Sequence, residues 1–310
     1  MTTIHDLERT REEVLHAGAR GPSEDSIRQF LKMCRMMKVR ESVMVAEYGA
    51  MLLKKPSMPA EELWLVREQV AMAALDVGDT PLATSCVKAI SREFPESMRA
   101  QRLQGMYFES TCNWDRAAEV YSDMLSKDPS NEMALKRQVA LAKAKGSTAA
   151  AIEAATSYLE LYCNDIETWE ELAELYLQSC LYKMAAFCYE ELLMLNPTNF
   201  AYPLRYADTL TTMGGAKNLK VARSYYSMAV QLSGGGCLPA LLGLCSATAK
   251  LKDILKAPST KKASAGDEIE EVDEHELGRL AAQSVIAQYE KGNPKKLPLV
   301  KEMLVAQGLI

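Results

Sequence analysis

The sequence predicts an all-α solenoid of helix–turn–helix hairpins with a 34-residue period. Its composition is the first sign, because Leu, Ala, Met, Glu and Lys are abundant and favour helix over strand. The second is a small residue at the same point of consecutive repeats: Ala83, Ala117, Ala151 and Ala185. The third is a proline near the end of three of these repeats: Pro95, Pro129 and Pro197. A fixed period of this length is typical of helical repeat proteins.

Each residue of the repeat has a physical role in a hairpin. In the unit 166–199, four residues fall at i, i+3, i+4 and i+7 and form one apolar helix face: Trp169, Leu172, Ala173 and Tyr176. The small Ala185 lets the second helix approach the first closely. Pro197 ends the second helix and starts the next unit. Gly78 and Gly146 hold equivalent positions in the turns between helices.

Four segments follow from this pattern along the chain. Residues 1–63 are predicted to hold N-terminal helices with a capping helix pair at 26–38 and 41–55. Residues 64–256 form the repeat solenoid, with a longer turn at Gly214-Gly215-Ala216. Residues 257–273 are small and polar, which predicts a flexible linker. Residues 274–310 are expected to form C-terminal helices that cap the array.

Charge and cysteine usage limit the classes of function. The net charge of −5 is mild and argues against a general nucleic-acid binder. Eight scattered cysteines without a C-x-x-C pair, together with a charged N-terminus, predict reduced thiols and no secretory signal. The stretch between Arg223 and Lys250 carries no charge, but glycines 234–236 and Pro239 interrupt it. It is predicted to be a helix end followed by a new helix, with no transmembrane segment.

Sequence motifs for chemistry are missing. There is no phosphate-binding loop, dinucleotide fingerprint, nucleophile elbow or zinc-protease motif. Only three histidines occur, and none is spaced as a ligand with the cysteines. The sequence therefore predicts no enzyme, no cofactor and no metal site.

The first helix of each hairpin is expected to line a concave groove. The side chains that line it are expected at about positions 2, 5, 9 and 12 of each unit. In the middle of the groove these positions are apolar and basic: Met72, Arg99, Arg102, Met106, Lys136 and Lys143. It would then become acidic, with Glu167, Glu170 and Glu174 on one helix face. The basic residues would pair with an acidic peptide while the methionines adapt to its apolar side chains. The alternative for the glutamates is a solvated helix face without a partner.

The repeat resembles the tetratricopeptide repeat. The matching residues of unit 166–199 are Trp169, Leu172, Tyr176, Ala185 and Pro197. Ala173 replaces the usual glycine of that repeat, and Tyr189 replaces the usual phenylalanine. The resemblance implies a tetratricopeptide-repeat superhelical solenoid, a fold that binds other proteins.

Longer strings are similar to the family of subunit 2 of the endoplasmic reticulum membrane protein complex. They include "EQVAMAALDVGD" (68–79), "RLQGMYFE" (102–109), "MAAFCYEELLMLNPTN" (184–199) and "MGGAKNLKVARSYYSMA" (213–229). The resemblance covers residues 64–250 in collinear order and includes the Gly-Gly insertion. The chain's two ends carry little of it.

This resemblance implies a non-catalytic cytosolic scaffold subunit, peripheral on the cytoplasmic face of the endoplasmic reticulum membrane. It would hold cytosolic segments of membrane-embedded subunits together with a second soluble subunit. The complex inserts tail-anchored and multi-spanning membrane proteins.

The alternative is a soluble tetratricopeptide-repeat co-chaperone or peptide-binding adaptor. A clamp for a heat-shock protein's C-terminal carboxylate requires lysine and asparagine at positions 5 and 9 of one unit. Lys136 meets the first requirement, but Ala140 stands in place of the asparagine. The next unit presents Glu167 and Glu170 where basic groups are needed.

Overall fold

The predicted fold class is confirmed by a computed structural model, which describes residues 4–16, 22–54, 58–256 and 268–310. Within these residues the chain forms sixteen α-helices and no strand. The helices divide into two compact units, unit 1 (1–154) and unit 2 (155–310), and the boundary falls inside helix α9 (Thr148–Leu161). Successive helices within each unit form hairpins of the tetratricopeptide type.

Unit 1 contains eight complete helices. They are α1 (Ile4–Leu15), α2 (Glu24–Met37), α3 (Ser42–Lys54), α4 (Ala60–Val77), α5 (Thr80–Glu93), α6 (Met98–Ser110), α7 (Trp114–Lys127) and α8 (Glu132–Ala144). The first helices of successive hairpins, α2, α4, α6 and α8, are called A-helices here, and α3, α5 and α7 are B-helices. The A-helix α6 contacts both α4 and α8, so these three contribute to one surface, the A-helix face of unit 1.

The alanine register is confirmed by burial. Ala83, Ala117, Ala151 and Ala185 are all completely buried. A larger side chain at these points would separate the helices of a hairpin, since core packing leaves few gaps as large as a methyl group.

The same register extends into the N-terminal helix pair, which the sequence did not reveal. The expected pair is present as α2 and α3. Gly49 of α3 lies one period, 34 residues, before Ala83. A Cβ atom at Gly49 would collide with Cγ2 of Val70, a completely buried residue of α4. Residues 26–54 are therefore a repeat whose small residue is glycine.

The turns between helices use the left-handed backbone region at matching positions. Gly78 and Gly146 have φ values of 82° and 73°, as their places in the pattern predicted. Cys112 and Cys180 take the equivalent positions in the alternate repeats, each with φ of 56°. Cysteine seldom adopts a positive φ, so the sequence did not indicate that these two residues belong to the turn series.

Unit 2 contains the remaining helices. They are α10 (Ile166–Gln178), α11 (Tyr182–Leu195), α12 (Ala201–Met213), α13 (Ala216–Leu232), α14 (Leu238–Lys256), α15 (Glu268–Gly292) and α16 (Leu297–Ala306). The lengthened turn is present, with Gly214 at φ 71° and Gly215 at φ 85°. The Asn218 side chain closes it by donating to the Gly214 carbonyl oxygen at 2.8 Å.

The uncharged stretch before Lys250 is divided between two helices, as predicted. Helix α13 ends at Leu232 and α14 begins at Leu238. Among the helices of the described ranges, none combines the length and the hydropathy that crossing a membrane requires.

The predicted linker at 257–273 lies mostly outside the described residues. Residues 257–267 lie outside the described residues, but α15 already begins at Glu268.

Candidate partner-binding surface

The residues predicted to line the groove are divided between the two units. The six apolar and basic positions lie on A-helices of unit 1: Met72 on α4, Arg99, Arg102 and Met106 on α6, and Lys136 and Lys143 on α8. The three glutamates 167, 170 and 174 lie on α10 of unit 2. Each set is therefore a surface of its own unit.

Two of the basic residues already pair within the chain. Nε of Arg99 donates to Oε1 of Glu68 at 3.3 Å, and its Nη2 contacts Oε2 of the same carboxylate. Nη2 of Arg102 lies 3.7 Å from Oε1 of Glu68. Glu68 is on α4 and both arginines are on α6, so this ion cluster joins neighbouring repeats. The A-helix face is consequently less positive than the sequence predicted.

The two arginines differ in how much of each remains accessible. The Arg99 side chain is 66% exposed, whereas that of Glu68 is only 13% exposed. Arg99 therefore covers the carboxylate and keeps its outer side in solvent. Nε of Arg102 is buried and finds no hydrogen-bond acceptor among the residues that the structure describes.

A second ion cluster connects α6 to α7 and α8. The hydroxyl of Tyr121 donates to Oε1 of Glu109 at 2.6 Å, and Nη1 of Arg137 lies 3.1 Å from Oε2. Tyr121 is completely buried. Burial, followed by the hydrogen bond to Glu109, raises the pKa of the Tyr121 phenol far above its ordinary value, so the phenol stays neutral.

The remaining predicted positions in unit 1 separate into surface and core. Lys136 is partly exposed and pairs with Glu132 one turn earlier at 3.4 Å, while Lys143 is exposed. Met72 is partly buried and lines a cavity of about 260 Å³ together with Val39. Met106 is buried, so the expectation that it lines the groove is corrected: its side chain belongs to the core and offers a partner little surface.

The glutamates of α10 are exposed, but one of them has an internal role. Oε1 of Glu170 accepts a hydrogen bond from the Tyr202 hydroxyl at 2.6 Å, which connects α10 to α12. Burial, followed by this bond, raises the pKa of Tyr202. Glu167 and Glu174 are exposed on the same helix.

The A-helix α2 of unit 1 also carries surface residues, and the groove predicted from the sequence did not include them. A cavity of about 810 Å³ lies between α2 and α4, and its lining includes Arg28, Lys32, Met36, Glu62 and Leu65. Nη2 of Arg28 donates to Oε2 of Glu62 at 2.5 Å. This hydrogen bond is the main reason that the pKa of Glu62 is lowered. The omission follows from the missing signature residues of the N-terminal repeat.

The eight cysteines are free thiols. Five are buried: Cys34, Cys86, Cys188, Cys237 and Cys245. Burial raises the pKa of Cys34 to about 11 and that of Cys188 to about 12, which makes both unreactive at neutral pH. Cys112, Cys163 and Cys180 are exposed. Within the described ranges, no three His, Cys, Asp or Glu side chains are grouped so that they could hold a metal ion.

Comparison with known proteins identifies the family. The model of the "EMC2 TPR-like repeat domain" matches residues 92–216. ER membrane protein complex subunit 2 of Xenopus tropicalis is 38% identical over 239 residues, covering 77% of this chain and 80% of the relative. Subunit 2 of Dictyostelium discoideum is 31% identical over 237 residues, covering 75% and 74%.

A solved structure supports the fold alone. The C-terminal part of a TPR repeat-containing protein from Cytophaga hutchinsonii aligns with a TM-score of 0.58 at 13% identity, covering 86% of this chain and 97% of that one. At such identity only the helical repeat architecture is shared. The identity and coverage of the curated relatives, in contrast, show that the chain belongs to the family of ER membrane protein complex subunit 2.

Proposed function

We propose that this chain is a non-catalytic scaffold subunit on the cytoplasmic face of the endoplasmic reticulum membrane. It holds cytosolic segments of membrane-embedded subunits, together with a second soluble subunit, and so supports the insertion of tail-anchored and multi-spanning proteins. The relatives are named as subunits of an ER membrane protein complex, which supports assembly with other subunits. The A-helix face of unit 1 is the surface that we assign to a partner segment.

The observation that carries this assignment is the geometry around Glu68. A guanidinium has five N–H donors, and Glu68 accepts from only two nitrogens of Arg99. Arg99 is mostly exposed, so the donors that Glu68 leaves unused can be reached from solvent, whereas Nε of Arg102 is buried and is not one of them. An acidic side chain of a partner segment would find donors that the fold has already oriented. Charge-assisted hydrogen bonds of this kind are among the strong ones in proteins.

Apolar contacts are available beside these charges. A cavity of about 290 Å³ next to Arg99 is lined by Trp64, Leu65 and Phe94, together with Glu61 and Glu68. Leu65 and Phe94 are both exposed. The partner segment that fits best therefore carries an acidic side chain near a bulky apolar one.

The experiment compares two double variants by affinity purification from detergent-solubilised membranes. In Arg99→Gln/Lys136→Gln, glutamine is chosen over glutamate because a carboxylate at position 99 would lie against Glu68. Losing one partner of a desolvated charge pair costs about 2–5 kcal/mol. Recovery of the membrane-embedded subunits should therefore fall about tenfold or more.

The matched control is Lys183→Gln/Lys217→Gln, which removes two exposed charges from unit 2. It should recover the subunits as well as the wild type does, and circular dichroism should show unchanged helix content in both variants. If Arg99→Gln/Lys136→Gln recovers the same subunits in the same yield, the A-helix face of unit 1 is not the partner site.

A further inference from the structure

The last helix of the chain, α16, is fixed to unit 2 by one of its sides. Leu304 is completely buried, and Val300 and Leu309 are also in the core. The backbone turns back after the helix at Gly308, with φ of 65°, and its carbonyl oxygen accepts from Nζ of Lys252 on α14 at 3.4 Å. The position of α16 is therefore set by packing, and its outer side is a defined surface.

That outer side combines exposed apolar side chains with two charged ones. Leu299 is 68% exposed, Val305 is 59% exposed, and Met303 is also exposed. The only charged residues of the ten-residue helix are Lys301 and Glu302. Leu299 and Met303 lie one turn apart and form an apolar strip, whereas Glu302 lies between Leu299 and Val305 around the helix.

Basic residues surround this apolar surface. Lys291 ends α15, Lys295 and Lys296 form the 3₁₀ turn that leads into α16, and Lys301 lies within α16. All four side chains are exposed, and the segment 290–302 carries these four lysines and two glutamates, Glu290 and Glu302. Exposed aliphatic side chains next to lysines are typical of segments that lie in the interface of an anionic membrane.

We propose that α16 and the lysine turn before it bind the surface of an anionic lipid bilayer. Leu299 and Met303 enter the boundary between headgroups and acyl chains, and the lysines remain at the level of the lipid phosphates, where their aliphatic stems are also buried. This is a direct lipid contact, in addition to the attachment through partner subunits proposed above.

The chemistry of the surface favours lipid over a protein partner. Protein interfaces carry about one hydrogen bond per 100–200 Å². The outer side of α16 offers only two side chains, those of Lys301 and Glu302, that can make such bonds. Acyl chains need none, and the phosphates supply the charge that complements the lysines.

The test is co-flotation of the full chain with phosphatidylcholine vesicles that contain or lack phosphatidylserine. We expect binding to the vesicles with phosphatidylserine that weakens as salt is raised. Each lysine near such a surface contributes enough attraction for about a fivefold change in binding. Lys295→Gln/Lys296→Gln should therefore reduce binding by roughly 20-fold or more. Leu299→Ser/Met303→Ser should reduce it as well, although it removes no buried side chain.

Two control variants distinguish binding through α16 from nonspecific binding to vesicles. Met194→Ser removes another exposed methionine of unit 2, and Lys183→Gln/Lys217→Gln removes two of its exposed lysines. Both should bind vesicles as the wild type does.

Three results would overturn the proposal: no binding to vesicles with phosphatidylserine, equal binding to pure phosphatidylcholine, or equal losses in the controls. If Leu299→Ser/Met303→Ser loses a protein partner while the wild type binds no vesicles, the surface is a protein interface and the proposal is wrong. The assay contains no other subunit, so its failure leaves the assignment of the A-helix face untouched.

Discussion

Gly105→Ala tests the close packing on which the hairpin of α6 and α7 depends. A Cβ atom at position 105 would lie 2.5 Å from Cζ of Tyr121 and 2.7 Å from its hydroxyl oxygen. Carbon atoms in contact are normally about 3.5–4.0 Å apart. The ring cannot move into solvent, because Tyr121 is completely buried and its hydroxyl is bound to Glu109.

The expected cost follows from three contributions. Overpacking costs about 1–3 kcal/mol. Disturbing the hydrogen bond from Tyr121 to the Glu109 carboxylate adds about 1.5–3 kcal/mol. Replacing glycine by alanine inside a helix returns about 1 kcal/mol. The net destabilisation is therefore about 1.5–5 kcal/mol.

The assay is urea unfolding followed by circular dichroism, with hydrogen exchange to locate the damage. In an array of repeats the loss of protection should concentrate in α6, α7 and their neighbours. Gly292→Ala is the matched control, since nothing lies within 4 Å of a Cβ there, and it should be neutral or slightly stabilising because Gly292 also belongs to a helix. In a Tyr121→Leu background the cost of Gly105→Ala should shrink, because the ring is gone. A Gly105→Ala variant as stable as the wild type, or an equal cost in both backgrounds, refutes the reasoning.

Three further predictions concern other parts of the chain. Gly49→Ala should loosen the N-terminal helix pair by about 1–3 kcal/mol, because its methyl group would collide with Val70; limited proteolysis should then cut within residues 22–54 faster than in the wild type. Glu62 on α4, whose pKa the hydrogen bond from Arg28 lowers, should stabilise the contact between α2 and α4 at neutral pH. That contribution is complete above glutamate's ordinary pKa and is lost as pH falls through the lowered value. An acid titration of helix content should therefore show a smaller loss in Glu62→Gln than in the wild type, and equal losses would contradict this. Alkylation of the folded protein at neutral pH, followed by mass spectrometry, should modify the exposed thiols of Cys112, Cys163 and Cys180. It should spare the buried thiols, whose pKa is raised, namely Cys34, Cys86, Cys188 and Cys245. Equal labelling of both groups would contradict the packing.

The repeat architecture could be predicted because its most constrained positions recur at a fixed period. Ala83, Ala117, Ala151 and Ala185 must all be small for one steric reason, so they form a visible series. The N-terminal repeat escaped notice because Gly49 meets the same requirement with a different residue. The turn positions of Cys112 and Cys180 were not predicted for a similar reason, because the equivalent positions in the other repeats hold glycine.

The candidate surface was less predictable than the fold. The repeat register correctly assigns residues to A-helices, but it does not say which charges pair with each other. Glu68 lies 31 residues before Arg99 and 34 before Arg102, and these separations bring side chains of adjacent A-helices together. Reading the acidic positions of one unit against the basic positions of the next would have indicated the pair. The burial of Met106 depends on packing that the register does not specify.

The measurement that tests the central claim most directly is site-specific photo-cross-linking in intact membranes. A photoreactive residue replaces Lys143, which is exposed on the A-helix α8, and in a second variant Lys183, which is exposed on α11 of unit 2. A scaffold that holds cytosolic segments on its A-helix face predicts a cross-link from position 143 to a membrane-embedded subunit and none from position 183. Cross-links to such subunits from position 183 but not from position 143 would contradict the account.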